Sequence, residues 1–370
     1  MITRAEVGKL GTVHVVESAV LSLYLTVPLD PAELRSLPAR ASELIGAAEG
    51  TAGDRGRLRE EDRNSVLQKL AVSGRDWLGR TVAIFACAGA ELLEAFPLPC
   101  QLPERAVLGT RPHIRPLLVA LQRFPAYRVA VVDRRHAWLF SINGDKIETV
   151  SAPDAASVRD SRFGGWYGLE TYHVQQRVAG LARHHYRETA AMLEQAMRHA
   201  GRQPLAIGGH ADGVRQMLAS LPPALRESFA GSFAADTHTL TPGRVRDLAA
   251  PLVARWAEQY AQRLADEILA LPPGHLVAVG LQACLAAVNA GAVQTLIVPD
   301  DGLVPGYECG RCGALSTDAD GCPDWGAAAL PVPDVIEEMV TRTVEDGIQV
   351  SVIHDAQSRI AARLHFPVAP

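Results

Sequence analysis

Several things are missing from this 370-residue chain, and each absence narrows what it can be. No run of 18 or more apolar residues is present, so no transmembrane helix is expected. The opening residues Met1-Ile2-Thr3-Arg4-Ala5-Glu6 lack the apolar core of a signal peptide, which points to a cytoplasmic protein. Lysine is nearly absent: Lys9, Lys69 and Lys146 are the only ones, and almost all basic charge is arginine. Together with the abundance of alanine, this reads as a coding bias toward high GC content. There is no Gly-x-Ser-x-Gly elbow, no His-Glu-x-x-His pair and no Walker loop, so common hydrolase, zinc-protease and nucleotide-triphosphatase signatures are excluded.

What is present suits a globular protein of two or three domains. Hydrophobic residues make up 48% and charged residues 21% of the sequence. Net charge is −5, so the molecule as a whole is not a polyanion binder. The distribution is uneven: Ala126 to Ala250 holds 15 Arg/Lys against 12 Asp/Glu, and seven of the twelve histidines.

Strand-like runs alternate with helical ones along the chain. Ala19–Val27, Thr81–Cys87, Tyr127–Asp133 and Val293–Val298 read as strands. Ala137–Ile142 and Lys146–Val150 flank Asn143-Gly144-Asp145 and form a hairpin signal, because Asn-Gly tolerates positive φ. Val174, Val178, Leu181, Met192, Leu193 and Met197 mark the apolar side of a long helix. Helices are also expected over Asn64–Leu70, Val214–Leu221, Arg244–Leu271, Leu281–Ala290 and Asp334–Asp346, and a strand over Phe229–Thr239. The alternation argues for α/β and α+β layers, with domains at 1–125, 126–243 and 244–370.

Ser161-Arg162-Phe163-Gly164-Gly165-Trp166-Tyr167-Gly168 precedes the long helix, which carries Arg177, Arg183, His184, His185 and Arg187. A Gly-Gly loop opening an Arg/His-rich helix resembles the middle domain of class-1 translation release factors and Pelota-like rescue factors. Arg105–Leu118, Val131–Phe140 and Asn289–Val298 resemble the bacterial branch of the same archaeo-eukaryotic superfamily, in the family's order. The resemblance implies three domains: an N-domain, an RNase-H-like middle domain and a C-domain related to kink-turn-binding ribosomal proteins. In release factors the loop reads Gly-Gly-Gln and enters the peptidyl transferase centre. Trp166 stands at the Gln position, as though in Balon-like hibernation factors that lack this Gln. An indole offers one donor and no acceptor, so it cannot position a water as the Gln does. Trp166 and Tyr167 can stack on RNA bases as a plug, or anchor the loop on their own domain.

Arg177, Arg183, His184, His185 and Arg187 fit rRNA or tRNA phosphate contacts, or else a solvated helix face. Arg183 has the Arg-His-x-Tyr context of the release factors' helix. The release factors' stop-codon loop has no counterpart here, which argues against stop-codon-specific termination. The resemblance therefore implies a ribosome-binding factor of the A site, with elongation factor Tu as the natural translational GTPase partner, acting in hibernation or rescue. The alternative is a peptidyl-tRNA hydrolase or tRNA nuclease using Glu170, His173, His184 or His185 as acid-base groups.

Three of the six cysteines, Cys309, Cys312 and Cys322, lie at short spacing. They resemble the zinc mini-domain of archaeal relatives, with Trp325 where the fourth Cys would stand. Structural zinc takes four ligands, so the set is either a three-Cys site completed by Asp324, a histidine or water, or a decayed one. Cys87, Cys100 and Cys284 sit in apolar contexts as inert thiols. Gly208-Gly209-His210-Ala211-Asp212 reads as a tight strand-to-helix turn.

Overall fold

The computed structural model describes the chain apart from residues 1, 16–17, 53–57, 145, 152–167, 199–202, 237–239, 273–275, 320–326, 355–358 and 369–370, and apart from the side chains of 51–52, 151 and 168–179. The N-terminal stretch contains α1 (Arg4–Gly11), β1 (Val20–Thr26), α2 (Leu37–Ala52), α3 (Glu60–Ser73), β2 (Thr81–Cys87), β3 (Leu92–Leu98), β4 (Arg105–Gly109) and α4 (Arg115–Arg123). Next come β5 (Tyr127–Val132), β6 (Ala137–Asn143), β7 (Lys146–Ser151), α5 (Gly168–Met197), β8 (Leu205–Gly209), α6 (Ala211–Ser220), α7 (Pro223–Glu227), β9 (Phe229–Ala234) and α8 (Pro242–Leu269). The chain closes with β10 (Val277–Val279), α9 (Leu281–Asn289), β11 (Val293–Pro299), β12 (Gly306–Cys309), β13 (Leu315–Ser316), β14 (Ala329–Val332), α10 (Val335–Glu345), β15 (Gln349–Ile353) and β16 (Ala361–Leu364).

These elements make a mixed α/β protein of two compact units, residues 1–122 with 260–370, and residues 123–259. Among the described residues no helix is long and apolar enough to cross a membrane.

In the first unit, β3-β2-β1-β4 form an antiparallel sheet. Both of its faces are covered, which is why β1 and β2 read as unbroken apolar runs rather than alternating ones. Leu21, Leu23, Leu25, Val82 and Ile84 pack with Ile45, Val66 and Leu70 of α2 and α3. Tyr24, Ala83 and Phe85 point the other way, into a core built with Leu296, Val298, Ile336, Met339 and Val340 from the C-terminal stretch. The two ends of the chain therefore share one core. The C-terminal sheet, ordered β10-β16-β11-β15, alternates in the same manner. Leu296 and Val298 face that shared core, and Ile297 faces Ala261, Ala265 and Ile268 of α8. A small antiparallel sheet, β13-β12-β14, carries the cysteine turn.

The second unit has a five-stranded sheet ordered β7-β6-β5-β8-β9. The pairs β7–β6 and β6–β5 are antiparallel, and β5–β8 and β8–β9 are parallel. Ala130, Val132, Leu205 and Ile207 pack against Ala182, Tyr186, Leu193 and Met217 of α5 and α6. Tyr127, Val129 and Val131 pack against Val245, Ala249 and Val253 of α8. The hairpin turns at Gly144, whose φ is +60°. Some expected elements differ in extent: α3 begins at Glu60, ahead of the expected Asn64, α6 begins at Ala211, ahead of Val214, and β9 ends at Ala234, the expected end at Thr239 lying outside the described residues.

Candidate functional site

The Gly164-Gly165-Trp166-Tyr167 loop lies outside the described residues, as does the side chain of Arg177 within α5. From Gly180 onward the helix resolves into two faces. Ala182, His185, Tyr186, Thr189, Ala190 and Leu193 are buried at three- and four-residue intervals. Arg183, His184 and Arg187 are exposed on the other side. Arg183 and Arg187 stand one turn apart and so project side by side. His184 Nε2 lies 3.2 Å from Glu188 Oε1, an i,i+4 pair on the same surface.

His185 is the exception among the grouped residues. It is only 2% exposed, so it cannot share the outward row. Its position three residues after Ala182 and four before Thr189 places it on the inward stripe. Its ring lies 5.8 Å from that of Tyr186, and its Nε2 is buried without a hydrogen-bond partner among the described residues.

The Gly208-Gly209 pair is accounted for by packing. A Cβ on Gly208 would stand 2.5 Å from the Phe233 ring, and one on Gly209, where φ is +145°, would collide with the carbonyl oxygen of Val132. The glycines let β5, β8 and β9 close up ahead of α6.

The cysteine turn joins β12 to β13. Cys309 Sγ accepts the backbone N–H groups of Arg311 at 3.4 Å and Cys312 at 3.5 Å. The Gly313 N–H donates to the Cys309 carbonyl at 2.9 Å, and Gly313 takes φ +76° to allow it. Cys309 is buried and Cys312 exposed. The thiolate is the form that binds a soft metal. The donor chemistry of these two residues thus fits half of a zinc site. Cys322, Asp324 and Trp325 lie outside the described residues.

A constellation not assigned from sequence lies in the first unit, where Arg111-Pro112-His113-Ile114-Arg115 runs along α10 from its N-cap Asp334 to its last residue, Glu345. Arg111 Nε is 3.4 Å from Glu338 Oε2, and its Nη1 is 3.2 Å from Glu345 Oε2. His113 Nδ1 is 3.2 Å from Glu337 Oε2. Arg115, fully buried, donates from Nη2 to Asp334 Oδ2 at 2.7 Å and to the Gly302 carbonyl at 2.6 Å. Glu337 Oε1 accepts the N–H groups of Ile114 and of Arg115, the latter at 3.1 Å. Asp334 Oδ1 caps α10 through the Ile336 N–H at 3.1 Å. Tyr24 and Ser22 of β1 clamp His113 from the other side, the Tyr24 hydroxyl donating to its carbonyl and its N–H donating to Ser22 Oγ.

Burial governs the titration of this cluster. It pushes Glu337 up to about 8 and Glu338 to about 7, despite the opposing pull of Arg115 on the first and Arg111 on the second. Burial likewise raises Asp334 and holds His113 well below its ordinary value. His113, Asp334 and Glu337 have donor atoms within 4.8 Å of one another, but the cation seated among them is the Arg115 guanidinium. The arrangement is a brace between the two ends of the chain. Its partners lie more than two hundred residues apart, so no local motif could have revealed it.

Residues 112–249 match the model of bacterial archaeo-eukaryotic release factor family 10. Among solved structures, the chain is similar to S. cerevisiae Dom34, a translation termination-like factor, at 11% identity over 80% of this chain and 82% of that one, with a TM-score of 0.41. It is also similar to archaeal Pelota in a ribosome-bound model with ABCE1, at 13% identity over 99% and 95% of the two chains and a TM-score of 0.40. A third likeness is to the archaeal translation termination factor aRF1, at 14% identity over 99% of each chain and a TM-score of 0.26. No curated protein matches the chain.

Proposed function

We propose that this chain is a cytoplasmic ribosome-binding translation factor that occupies the A site without Gly-Gly-Gln hydrolysis, in ribosome hibernation or rescue. The observation that carries this reading is the family match over residues 112–249, which spans both the Gly164-Gly165-Trp166 loop and α5. The exposed pair Arg183 and Arg187 supports it, because two guanidinium groups one turn apart suit successive phosphate oxygens. The sheet order β7-β6-β5-β8-β9, three antiparallel strands continued by two parallel ones, supports an RNase-H-like middle domain within a three-domain plan of 1–125, 126–243 and 244–370. Cys309 and Cys312 would hold a structural zinc together with Cys322, and the metal would fix the turn between β12 and β13. A translational GTPase, elongation factor Tu in a bacterium, is the partner that the resemblance implies.

In this reading Trp166 fills the place of a catalytic Gln with a stacking group. The protein would therefore block the peptidyl transferase centre rather than discharge it. Co-sedimentation with vacant ribosomes across a salt series tests the proposal, with wild type beside Trp166→Ala and Arg183→Ala. Saturable binding weakened by both substitutions is expected. Absence of binding, with or without the GTPase, would sink the reading. Single-turnover release of labelled peptide from stalled ribosomes separates it from the hydrolase alternative. Release that disappears in Glu170→Gln or His184→Ala would make the protein an enzyme.

A further inference from the structure

The turn between β5 and β6 is built as a platform. Asp133 Oδ1 accepts the backbone N–H groups of Arg135 at 2.6 Å and His136 at 2.7 Å, and the Asp133 N–H donates to the His136 carbonyl at 2.9 Å. Asp133 Oδ2 lies 3.3 Å from His136 Nδ1, so one carboxylate fixes both the turn and the imidazole. Trp138, half-buried on the α8 side of the sheet, backs the imidazole: the ring centroids are 5.5 Å apart and the planes are tilted by 31°. The His136 side chain nevertheless remains 37% exposed. A ring held at its edge by a carboxylate and on one side by an indole has little freedom left to lose when a second flat ring lies on it.

The charges around the turn are unevenly matched. The nearby carboxylates are each answered: Asp133 by the turn itself, Asp212 at the start of α6 by Arg215, and Glu188 on α5 by His184. Arg134, in the turn, is exposed and has no ion pair among the described residues, and the same holds for Arg183 and Arg187. Arg134 is within electrostatic range of the Tyr186 hydroxyl, and Tyr186 sits on α5 three residues after Arg183 and one before Arg187. The turn therefore adjoins the outward row on α5 rather than standing apart from it. The strand order adds a reason for a ligand here. From the centre of the sheet β5 leads to β6 on one side, and β8 leads to β9 on the other. The crevice beyond the carboxyl ends of strands that diverge in this way is where open α/β sheets hold ligands.

We propose that this turn is a subsite for unpaired RNA, taking one base on the exposed side of His136 and the adjoining phosphate on Arg134. Base, imidazole and indole then form one continuous stack. Aromatic side chains hold splayed bases in this way with little regard to sequence, because every base has a π-face. Arg183 and Arg187 supply further phosphate contacts beside it, so the strand passes from the turn onto α5. A duplex keeps its base faces stacked inside and offers nothing for His136 to meet, so the subsite selects single-stranded or splayed RNA. The source of that RNA rests on the ribosome reading above; the base-stacking chemistry stands on the turn itself.

Fluorescence anisotropy of the full chain with labelled pentaadenylate tests it, against an abasic ribose-phosphate pentamer carrying the same phosphates. The pentaadenylate is expected to bind about tenfold tighter than the abasic pentamer. His136→Ala should remove most of that difference, while His136→Phe, which keeps a ring over Trp138, should retain it. Arg134→Ala should weaken both pentamers and lower the salt dependence by about one phosphate contact. Equal binding of the two pentamers by the wild-type protein, or no binding of either, overturns the proposal without reference to any variant. A full difference persisting in His136→Ala also overturns it, and AMP binding as tightly as pentaadenylate overturns the assignment to RNA in favour of a free nucleotide. Ribosome co-sedimentation run alongside keeps the two readings apart. Base-dependent binding of the pentamer without ribosome binding keeps the subsite and sinks the A-site reading, and ribosome binding without base discrimination does the reverse.

Discussion

The side-chain amide of Gln122 holds both backbone polar groups of Val352. Its Nε2 donates to the Val352 carbonyl at 2.6 Å, and its Oε1 accepts the Val352 N–H at 3.0 Å. Val352 lies on β15, the edge of the C-terminal sheet, so one glutamine at the end of α4 substitutes for the strand that is not there. Gln122→Leu keeps the bulk and removes both bonds. It should lower stability by about 1–3 kcal/mol, read as a shift in the urea midpoint, and should raise the tendency to self-associate through the uncovered edge.

The brace between Arg115 and Asp334 should behave as a buried ion pair does when one partner is lost. Arg115→Met leaves the Asp334 carboxylate without its cation inside the protein and should destabilise by about 3–5 kcal/mol. The double variant Arg115→Met with Asp334→Asn should recover part of the loss. Equilibrium unfolding of the two variants would check this, and equal stability of the single and double variants would refute the pairing.

The titration of the same cluster sets a pH signature. Glu337 is raised from an ordinary 4.5 to about 8 in the folded chain. Its contribution to stability is therefore complete below pH 4.5 and is lost as pH climbs through 8. His113 is lowered from 6.5, so its contribution is complete above 6.5 and is lost as pH falls through its folded value. Between 4.5 and 6.5 the two slopes oppose each other. Above 6.5 only the carboxylate slope remains, with Glu338 adding to it until about 7. Stability should fall by about 2 kcal/mol from pH 6.5 to 8, and Glu337→Gln should flatten most of that fall. His113→Gln should leave the alkaline fall in place and remove the acid-side loss.

The inward and outward faces of α5 should separate cleanly by mutation. Arg183→Ala and Arg187→Ala remove exposed charge and should leave stability within about 0.5 kcal/mol. Each should reduce the salt dependence of any RNA binding by about one phosphate contact. His185→Leu should be close to neutral for both properties, because the ring it removes is buried with a nitrogen that has no partner among the described residues.

Substitution at Gly209 provides a control of another kind. Gly209→Ala places a methyl group against the Val132 carbonyl at a backbone angle that side chains rarely adopt. It should destabilise by about 2 kcal/mol or more, detectable as a thermal shift in a protein whose α5 surface is untouched.

Much of the fold was legible because local signals and packing agree. The Asn143-Gly144 hairpin and the apolar run of β2 carry their own turn chemistry or pattern, whereas the stripe expected on α5 held only in its second half: Leu193 and Met197 are buried, Leu181 is 46% exposed because Ala182 and Tyr186 take the inward face, and the side chains of Val174 and Val178 lie outside the described residues. Other elements left a weaker trace. The Ala- and Gly-rich α2 includes Pro38 near its start, and the short β4 and β16 take their strand character from neighbours rather than from propensity. Pro251 lies inside α8 without ending it, which a breaker rule alone would not allow. Within the candidate site, Arg183 was singled out by its Arg-His-x-Tyr context, and the helix turns it outward. The same spacing from Ala182 to Leu193 was a signal that His185 turns inward. The Arg111-His113-Arg115 row was visible as a sequence feature, but its partners were not. Pairing with Glu338, Glu337 and Asp334 is decided by tertiary contact between opposite ends of the chain.

The sheet of β1 to β4 has one face lined by helices that immediately follow β1 and another lined by residues 278–364. During synthesis the first face can close as soon as β2 has been made. The second, with Tyr24 and Phe85 at its centre, must wait until α10 and the strands around it have left the exit tunnel. For that interval the nascent chain carries a half-finished domain with an open greasy side, the form of intermediate that holding chaperones recognise. A truncation before α10 should therefore leave a sticky, slowly aggregating fragment rather than a smaller well-behaved protein.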